Sequence, residues 1–147
     1  TRRSSDLHSK GEPGDLTAPR TYDDVVDEVR HTLREAAGTA EEAGVSSLVL
    51  DPGFGFGKSN AENLRLINEL DSLLALNRPV LIGVSRKSTI GALLGTEDAP
   101  APTDQRLYGS LGVTAVGVLR GASIIRAHDV AATVELIRGI DATLHAR

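Results

Sequence analysis

The chain has 147 residues, enough for one domain with a core and too few for a complete eight-stranded α/β barrel, which takes roughly 250 residues. Hydrophobic residues make up 40% and charged residues 24%, ordinary globular usage that excludes a wholly disordered chain. Sixteen basic against twenty acidic residues give a net charge of −4, which excludes a global attraction to nucleic acid or anionic lipid, so any anionic ligand must be held by a local cationic cluster. The absence of cysteine excludes disulfides, thiolate metal sites and cysteine nucleophiles, and the four histidines are too scattered for a zinc site. No apolar run approaches the roughly 18 residues of a membrane span, and the N-terminus is polar where a signal peptide is apolar, so a soluble, cytoplasmic protein is expected. A chain that begins at Thr1 and holds no methionine reads as a fragment of a longer one.

Residues 1–20 are rich in Ser, Gly, Pro and charge without apolar periodicity, and are expected to form a polar arm or loop; the domain proper is expected over 21–147. Thr21 is the expected N-cap of a long amphipathic helix through Val25, Val26, Val29 and Leu33, with Gly44 as its stop signal. Residues 47–50, Ser-Leu-Val-Leu, suit a buried strand that stops at Asp51-Pro52-Gly53. Beyond a glycine-rich loop, Ser59 and Glu62 form a capping box, and Leu66, Ile67, Leu70, Leu73 and Leu74 mark the inward face of a second helix. Residues 79–84 are a second buried-strand candidate, followed by a short helical piece through Ile90, Leu93 and Leu94 and a Pro-rich loop. Thr103 is expected to open a helix through Leu107, Leu111 and Val118, in which Gly109, Ser110, Gly112 and Gly117 permit close approach. A third strand over 122–125 and a closing helix from Val130, with Val134, Ile137 and Ile140 inward, complete the alternation. Strands alternating with helices imply parallel α/β architecture, either a doubly wound sheet or part of a barrel.

All three strands end in polar clusters that no core requires, and in parallel α/β folds that edge binds ligands. In Asp51-Pro52-Gly53-Phe54-Gly55-Phe56-Gly57-Lys58-Ser59, alternating glycines let backbone amides approach a ligand, and the carboxylate can accept two parallel N–H bonds from an amidine-like ring edge. A nucleotide-phosphate loop is the rival, but with Gly57-Lys58-Ser59 fixed its first glycine falls on Pro52. A turn or capping carboxylate is the plainer alternative for Asp51. Arg86 and Lys87 put positive charge at the mouth of the sheet, or form a solvated surface pair. Arg126 and His128, two residues apart at a strand end, point to one side and can grip phosphate oxygens, while Asp129 is expected to cap the last helix.

Taken together, these segments strongly resemble the dihydropteroate synthase family, in which the sixth barrel strand ends in D-P-G-x-G-F-x-K, the seventh in S-R-K-S/R and the eighth in R-x-H-D-V. Leu7 to Pro13 resembles the family's M-H-x-x-G-x-P segment, and Arg106 with Gly109 and Ser110 its R-x-x-G-S helix. The resemblance implies the fold of a partial TIM (β/α)8 barrel, strands about six to eight with their helices, the N-terminal half absent. It implies that Asp51 and Lys87 are catalytic and, with Arg86, bind the pterin; that Phe56 and Ser88 line a p-aminobenzoate pocket; and that Arg126 and His128 bind the diphosphate. The substrates it implies are a pterin diphosphate and p-aminobenzoate, with Mg²⁺ as cofactor held by the missing N-terminal part and no metal ligand in this piece. It implies a homodimer for the full-length parent and no turnover by this chain alone. Residues 1–6 are polar where the family has its apolar fifth strand, so that strand is expected to be missing or replaced. Two alternatives stand beside this reading: a corrinoid-linked pterin methyltransferase, and a non-catalytic pterin-binding remnant.

Overall fold

The computed structural model describes residues 2–7 and 20–146. Its first element corrects an expectation. Arg2–Leu7, read as part of a loop, is a strand (β1) that pairs in parallel with the strand Val45–Asp51 (β2), from Arg3 opposite Ser47 to Leu7 opposite Asp51. A ladder needs only main-chain N–H and C=O groups, so the apolar run of β2 can recruit a polar neighbour that carries no burial signature of its own. The counterpart of the family's M-H-x-x-G-x-P segment lies outside the described residues after Leu7.

Helix α1, Val25–Glu42, starts later than the sequence suggests. Asp24, not Thr21, is its N-cap: its Oδ1 accepts the N–H of Val26 at 3.0 Å and of Asp27 at 3.1 Å, and Oδ2 takes the Arg65 guanidinium at 2.9 Å. A start at Val25 turns Val25, Val26, Val29, Leu33 and Ala37 inward, and a carboxylate meets two orphan amides better than a threonine hydroxyl. Removing the Leu33 side chain, 1% exposed, would cost about 2–5 kcal/mol. The chain leaves α1 through Gly44 at φ +83 and enters β2.

Helix α2, Asn60–Asn68, carries the expected capping box between Ser59 and Glu62 and gives way to a 3₁₀ segment, Leu70–Leu76. Leu66, Ile67, Leu70 and Leu73 are buried; Leu74 is not, because the 3₁₀ turn rotates it off the α-helical stripe. Strand β3, Leu81–Ile82, pairs in parallel with β4, Ile124–Ile125, and is joined to β2 by a bridge between Leu50 and Val80. The strands thus follow one another in chain order, all parallel and without reversal. Helices α3, Ser88–Leu94, and α4, Leu107–Leu119, fill the crossover between β3 and β4, and α5, Val130–Leu144, closes the chain. Thr103 opens only a 3₁₀ turn, Thr103–Gln105, ahead of α4.

The two sheet faces differ. Leu48, Leu50, Val80 and Ile82 alternate toward the helices and are at most 5% exposed, within one core that includes Val29, Leu33, Leu66 and Val113. Gly117 packs directly on Ile82, and Gly109 on Ile90 and Leu94, as expected, but Gly112 faces open space. On the opposite face Val49 and Leu81 are half-buried and Ile124 is exposed. The same alternation puts Asp51, Gly83 and Arg126 on that second face. Helix α5 is also less buried than its pattern implies: Val130 and Val134 are exposed and Ile137 and Ile140 are half-buried, because its main neighbour is α4 alone. No helix among the described residues is long and apolar enough to cross a membrane.

Candidate active site

Asp51 ends β2, is 8% exposed, and accepts the Gly53 N–H on Oδ1 at 2.8 Å. Gly53, Gly55 and Gly57 all take positive φ, +71, +81 and +63, so their spacing reflects a backbone requirement. This coiled loop is fixed from inside by two side chains. Lys58 Nζ donates to the carbonyls of Gly53 at 3.0 Å and Phe56 at 3.1 Å. Asn63, 1% exposed, accepts the Gly55 N–H at 2.7 Å and donates Nδ2 to Lys58 C=O at 3.2 Å and Thr89 Oγ1 at 3.1 Å. The nucleotide-phosphate reading fails on this geometry: its lysine is folded onto its own loop, and the start of α2 is closed by its own capping box.

Lys87 follows β3 and crosses to the same loop. Its Nζ donates to the Phe54 carbonyl and lies 4.3 Å from the Phe56 ring centroid. Glycine at 55 makes the crossing possible, since a Cβ there would stand 2.8 Å from Lys87 Cδ. Arg126, after β4, lies across Gly83, where a Cβ would come within 3.0 Å of its guanidinium. Ser85 Oγ accepts the His128 N–H at 3.2 Å and stands 3.1 Å from His128 Nδ1, so one hydroxyl fixes both the main chain and the ring of His128 beside the cavity.

Phe56, Gly83, Ser85, Lys87, Arg126 and His128 line one cavity of about 350 Å³. Asp51 lies within electrostatic reach of it: burial pushes its carboxyl up from the usual range, against the opposing pull of the Gly53 N–H and of Lys87, Arg126 and Lys58. Burial likewise pulls Lys58 and Lys87 down to about 8 each, with Asp51 holding both up. The site therefore pairs one desolvated carboxylate with three neighbouring cations. A roomier groove of about 500 Å³ runs between α4 and α5 along Leu119, Leu136 and Ile140, but no cluster of charged groups converges there.

Two expected site residues stand apart. Ser88 is exposed at the start of α3 and does not line the cavity. Arg86 turns away to Asp129, donating Nε to Oδ2 at 2.9 Å and Nη2 to Oδ1. That pairing also corrects the expectation for Asp129, which occupies the N-cap position of α5 but makes no side-chain capping bond, because the guanidinium takes both its oxygens. Sequence reasoning gave no role to Lys58, Asn63 or Ser85. The signal for Asn63 was available: it sits at inward helical spacing with Leu66, Ile67 and Leu70, where a polar residue demands partners. Among the described residues no cluster of three or more His, Asp or Glu side chains could hold a metal ion, so the residues here do not fit a Mg²⁺ site by themselves.

Residues 7–128 match the family model described as pterin binding enzyme. The chain belongs to the pterin-binding enzyme family. Dihydropteroate synthase of Escherichia coli strain K12 is 41% identical over 143 residues, covering 96% of this chain and 49% of that relative. The dihydropteroate synthase of Xanthomonas albilineans, solved with 4-aminobenzoic acid, superposes with a TM-score of 0.86 at 42% identity, over 97% of this chain and 50% of that one. The enzyme of Thermus thermophilus, solved in complex with 6HMPPP, gives a TM-score of 0.88 at 40% identity, over 97% and 55%. This member of the pterin-binding family spans about half the length of the curated relatives it matches.

Proposed function

We propose that this chain is the C-terminal part of a dihydropteroate synthase, which joins 6-hydroxymethyl-7,8-dihydropterin diphosphate to p-aminobenzoate and releases diphosphate. The observation that carries the reading is the convergence of a buried carboxylate, a lysine and an arginine-histidine pair on one end of a parallel sheet. The unreversed strand order supports β1 to β4 as strands five to eight of a (β/α)8 barrel, whose remaining half would cover the exposed face of Val49, Leu81 and Ile124.

In this reading Asp51 accepts two N–H bonds from the pyrimidine edge of the pterin, and Lys87 donates to its carbonyl and ring-nitrogen side. Phe56 lines the p-aminobenzoate pocket, while Ser88, outside the cavity described here, would reach that substrate only at the exposed start of α3, and Arg86 shapes the pterin site from behind. Arg126 and His128 hold the diphosphate. The C–O bond to diphosphate breaks, the amine nitrogen of p-aminobenzoate bonds to the pterin methylene, and the amine gives up a proton. Asp51 favours the positive character that develops on the methylene, through the ring it holds, while Arg126 and His128 favour the departing anion; both effects are greater in the transition state than in the ground state. Mg²⁺ finds no ligand set among the described residues. The complete gene product is read as cytoplasmic and as a homodimer; the exposed Leu119, Val134 and Leu144 of α4 and α5 support the self-association alone. A corrinoid-linked methyltransferase would have no anion for Arg126 and His128 to hold.

The test is a coupled assay of the complete gene product and of the 147-residue chain with both substrates. The expected result is dihydropteroate formation by the complete product and none by the chain alone. Tight binding of pterin diphosphate by the complete product without diphosphate release would replace this reading with that of a non-catalytic remnant.

A further inference from the structure

The turn between β3 and α3 holds a residue type that its backbone does not favour. Lys87 N–H donates to Val84 C=O at 3.3 Å, which closes a four-residue turn, and its third residue, Arg86, has φ +58. Glycine or asparagine ordinarily fills such a position, because a Cβ there crowds the backbone carbonyl. A side-chain-bearing residue persists in this conformation when its surroundings over-determine it. The surroundings of Arg86 do so. Its N–H donates to Ser110 Oγ at 2.9 Å, its carbonyl accepts from Arg106 Nη1 at 2.9 Å, and its guanidinium is held in a fork by Asp129. The holders are themselves linked: Ser110 donates its hydroxyl proton to Arg106 C=O at 2.7 Å, and Arg106 Nε donates to Ala101 C=O at 2.7 Å. The Arg106 guanidinium reaches this place by lying on Gly91, where a Cβ would stand 2.6 Å from Cζ.

We propose that Arg106, Ser110 and Asp129 are positioning residues that hold Arg86 in its left-handed conformation, and thereby deliver Lys87 across Gly55 to the Phe54 carbonyl and the face of Phe56. Arg86 is the anchor of this device, and its guanidinium does not touch substrate. Relaxing φ at Arg86 to the ordinary negative range would redirect the chain that follows and swing Lys87 out of the cavity. The proposal rests on the reading of Lys87 as a pterin ligand, but its geometry can be tested without turnover. A purely structural role, in which Arg106 and Ser110 only pack α4 against α3, would affect stability and leave Lys87 where it is.

The experiment uses the complete gene product with Arg106→Gln, Ser110→Ala and Asp129→Asn, and the pair Arg86→Gly and Arg86→Ala. Two quantities are read: the titration midpoint of the Lys87 amine by NMR, and KM and kcat for the pterin diphosphate. In Arg106→Gln the Lys87 midpoint is expected to move from about 8 toward its ordinary value, as the amine regains water. KM should rise about tenfold with kcat within about threefold, the signature of lost uniform binding. Ser110→Ala, which removes one hydroxyl and no packing volume, and Asp129→Asn should shift both in the same direction by less, and they keep the test open if Arg106→Gln does not fold. Arg86→Gly, which adopts positive φ freely, should keep Lys87 closer to its native midpoint and give a lower KM than Arg86→Ala. An unmoved Lys87 midpoint in Arg106→Gln and Ser110→Ala, or equal losses in Arg86→Gly and Arg86→Ala, would overturn the proposal. If the unsubstituted protein forms no dihydropteroate, the functional reading fails, and the Lys87 midpoints still decide whether these residues position it.

Discussion

Replacing Asn63 by Leu keeps the branched shape of a side chain that is 1% exposed, with somewhat more bulk, and deletes the three hydrogen bonds by which Asn63 ties the glycine loop to α2 and α3. Three groups lose their partner: the Gly55 N–H, the Lys58 carbonyl and the Thr89 hydroxyl. Thr89 is itself 1% exposed, so its hydroxyl would bear most of the penalty of about 1–3 kcal/mol for an unmet buried polar group. Gly55 and Lys58 are half-buried, and water can replace part of what they lose. The sum is about 2–4 kcal/mol, reduced somewhat by the apolar surface that leucine buries. In a protein of the relatives' length each kcal/mol lowers Tm by about 2–4 °C, so a fall on the order of 10 °C is expected in thermal and urea unfolding of the complete gene product. Because Gly55 is also where Lys87 crosses the loop, affinity for the pterin diphosphate should fall with stability. A variant within about 0.5 kcal/mol of the parent would refute the reasoning, because surface substitutions alone produce shifts that small.

Asp51→Asn should lower the midpoints of both Lys58 and Lys87 below about 8, since the Asp51 charge now holds them up; NMR of the lysine amines checks this. In the parent protein, pterin diphosphate affinity measured by calorimetry should weaken as pH rises through about 8, where Lys87 gives up the ammonium proton it donates to the pterin. The same depressed lysines bind fewer protons folded than unfolded above that pH, so they should make the fold more stable as pH rises from about 8 toward the ordinary lysine range, as urea unfolding against pH will show. Gly83→Ala should leave the fold intact and push the Arg126 guanidinium off the sheet face, weakening inorganic diphosphate binding several-fold by calorimetry. Ser85→Ala should unfix the His128 ring and weaken the same binding by a smaller factor, with a change in the imidazole nitrogen signals.

The elements that could be read from sequence are those whose burial pattern is self-contained. Val25, Val26, Val29 and Leu33 announce α1, and Ser59 with Glu62 announces the start of α2, because each pattern is satisfied within one segment. Strand β1 left no such mark, since its place depends on the ladder offered by β2. The stripe of α5 overstated burial, because periodicity reports a face and not whether anything covers it. Of the site, the charged ends of the strands were legible because nothing in a core explains Asp51, Lys87, Arg126 or His128 in those positions. Of the supports, Asn63 could have been found from its inward helical position, but Ser85, Ser110 and Arg106 act through main-chain groups distant in sequence, and a single sequence records no such partner. Arg86 and Asp129 were each assigned separately because their ion pair spans 43 positions.

The most direct measurement is a crystal structure of the complete gene product with 6-hydroxymethyl-7,8-dihydropterin diphosphate. The pterin edge is expected on Asp51 and Lys87 and the diphosphate on Arg126 and His128, in the cavity that Phe56 helps to line. A diphosphate bound elsewhere, or a pterin that leaves the Asp51 carboxylate without a ligand hydrogen bond, would contradict this assignment.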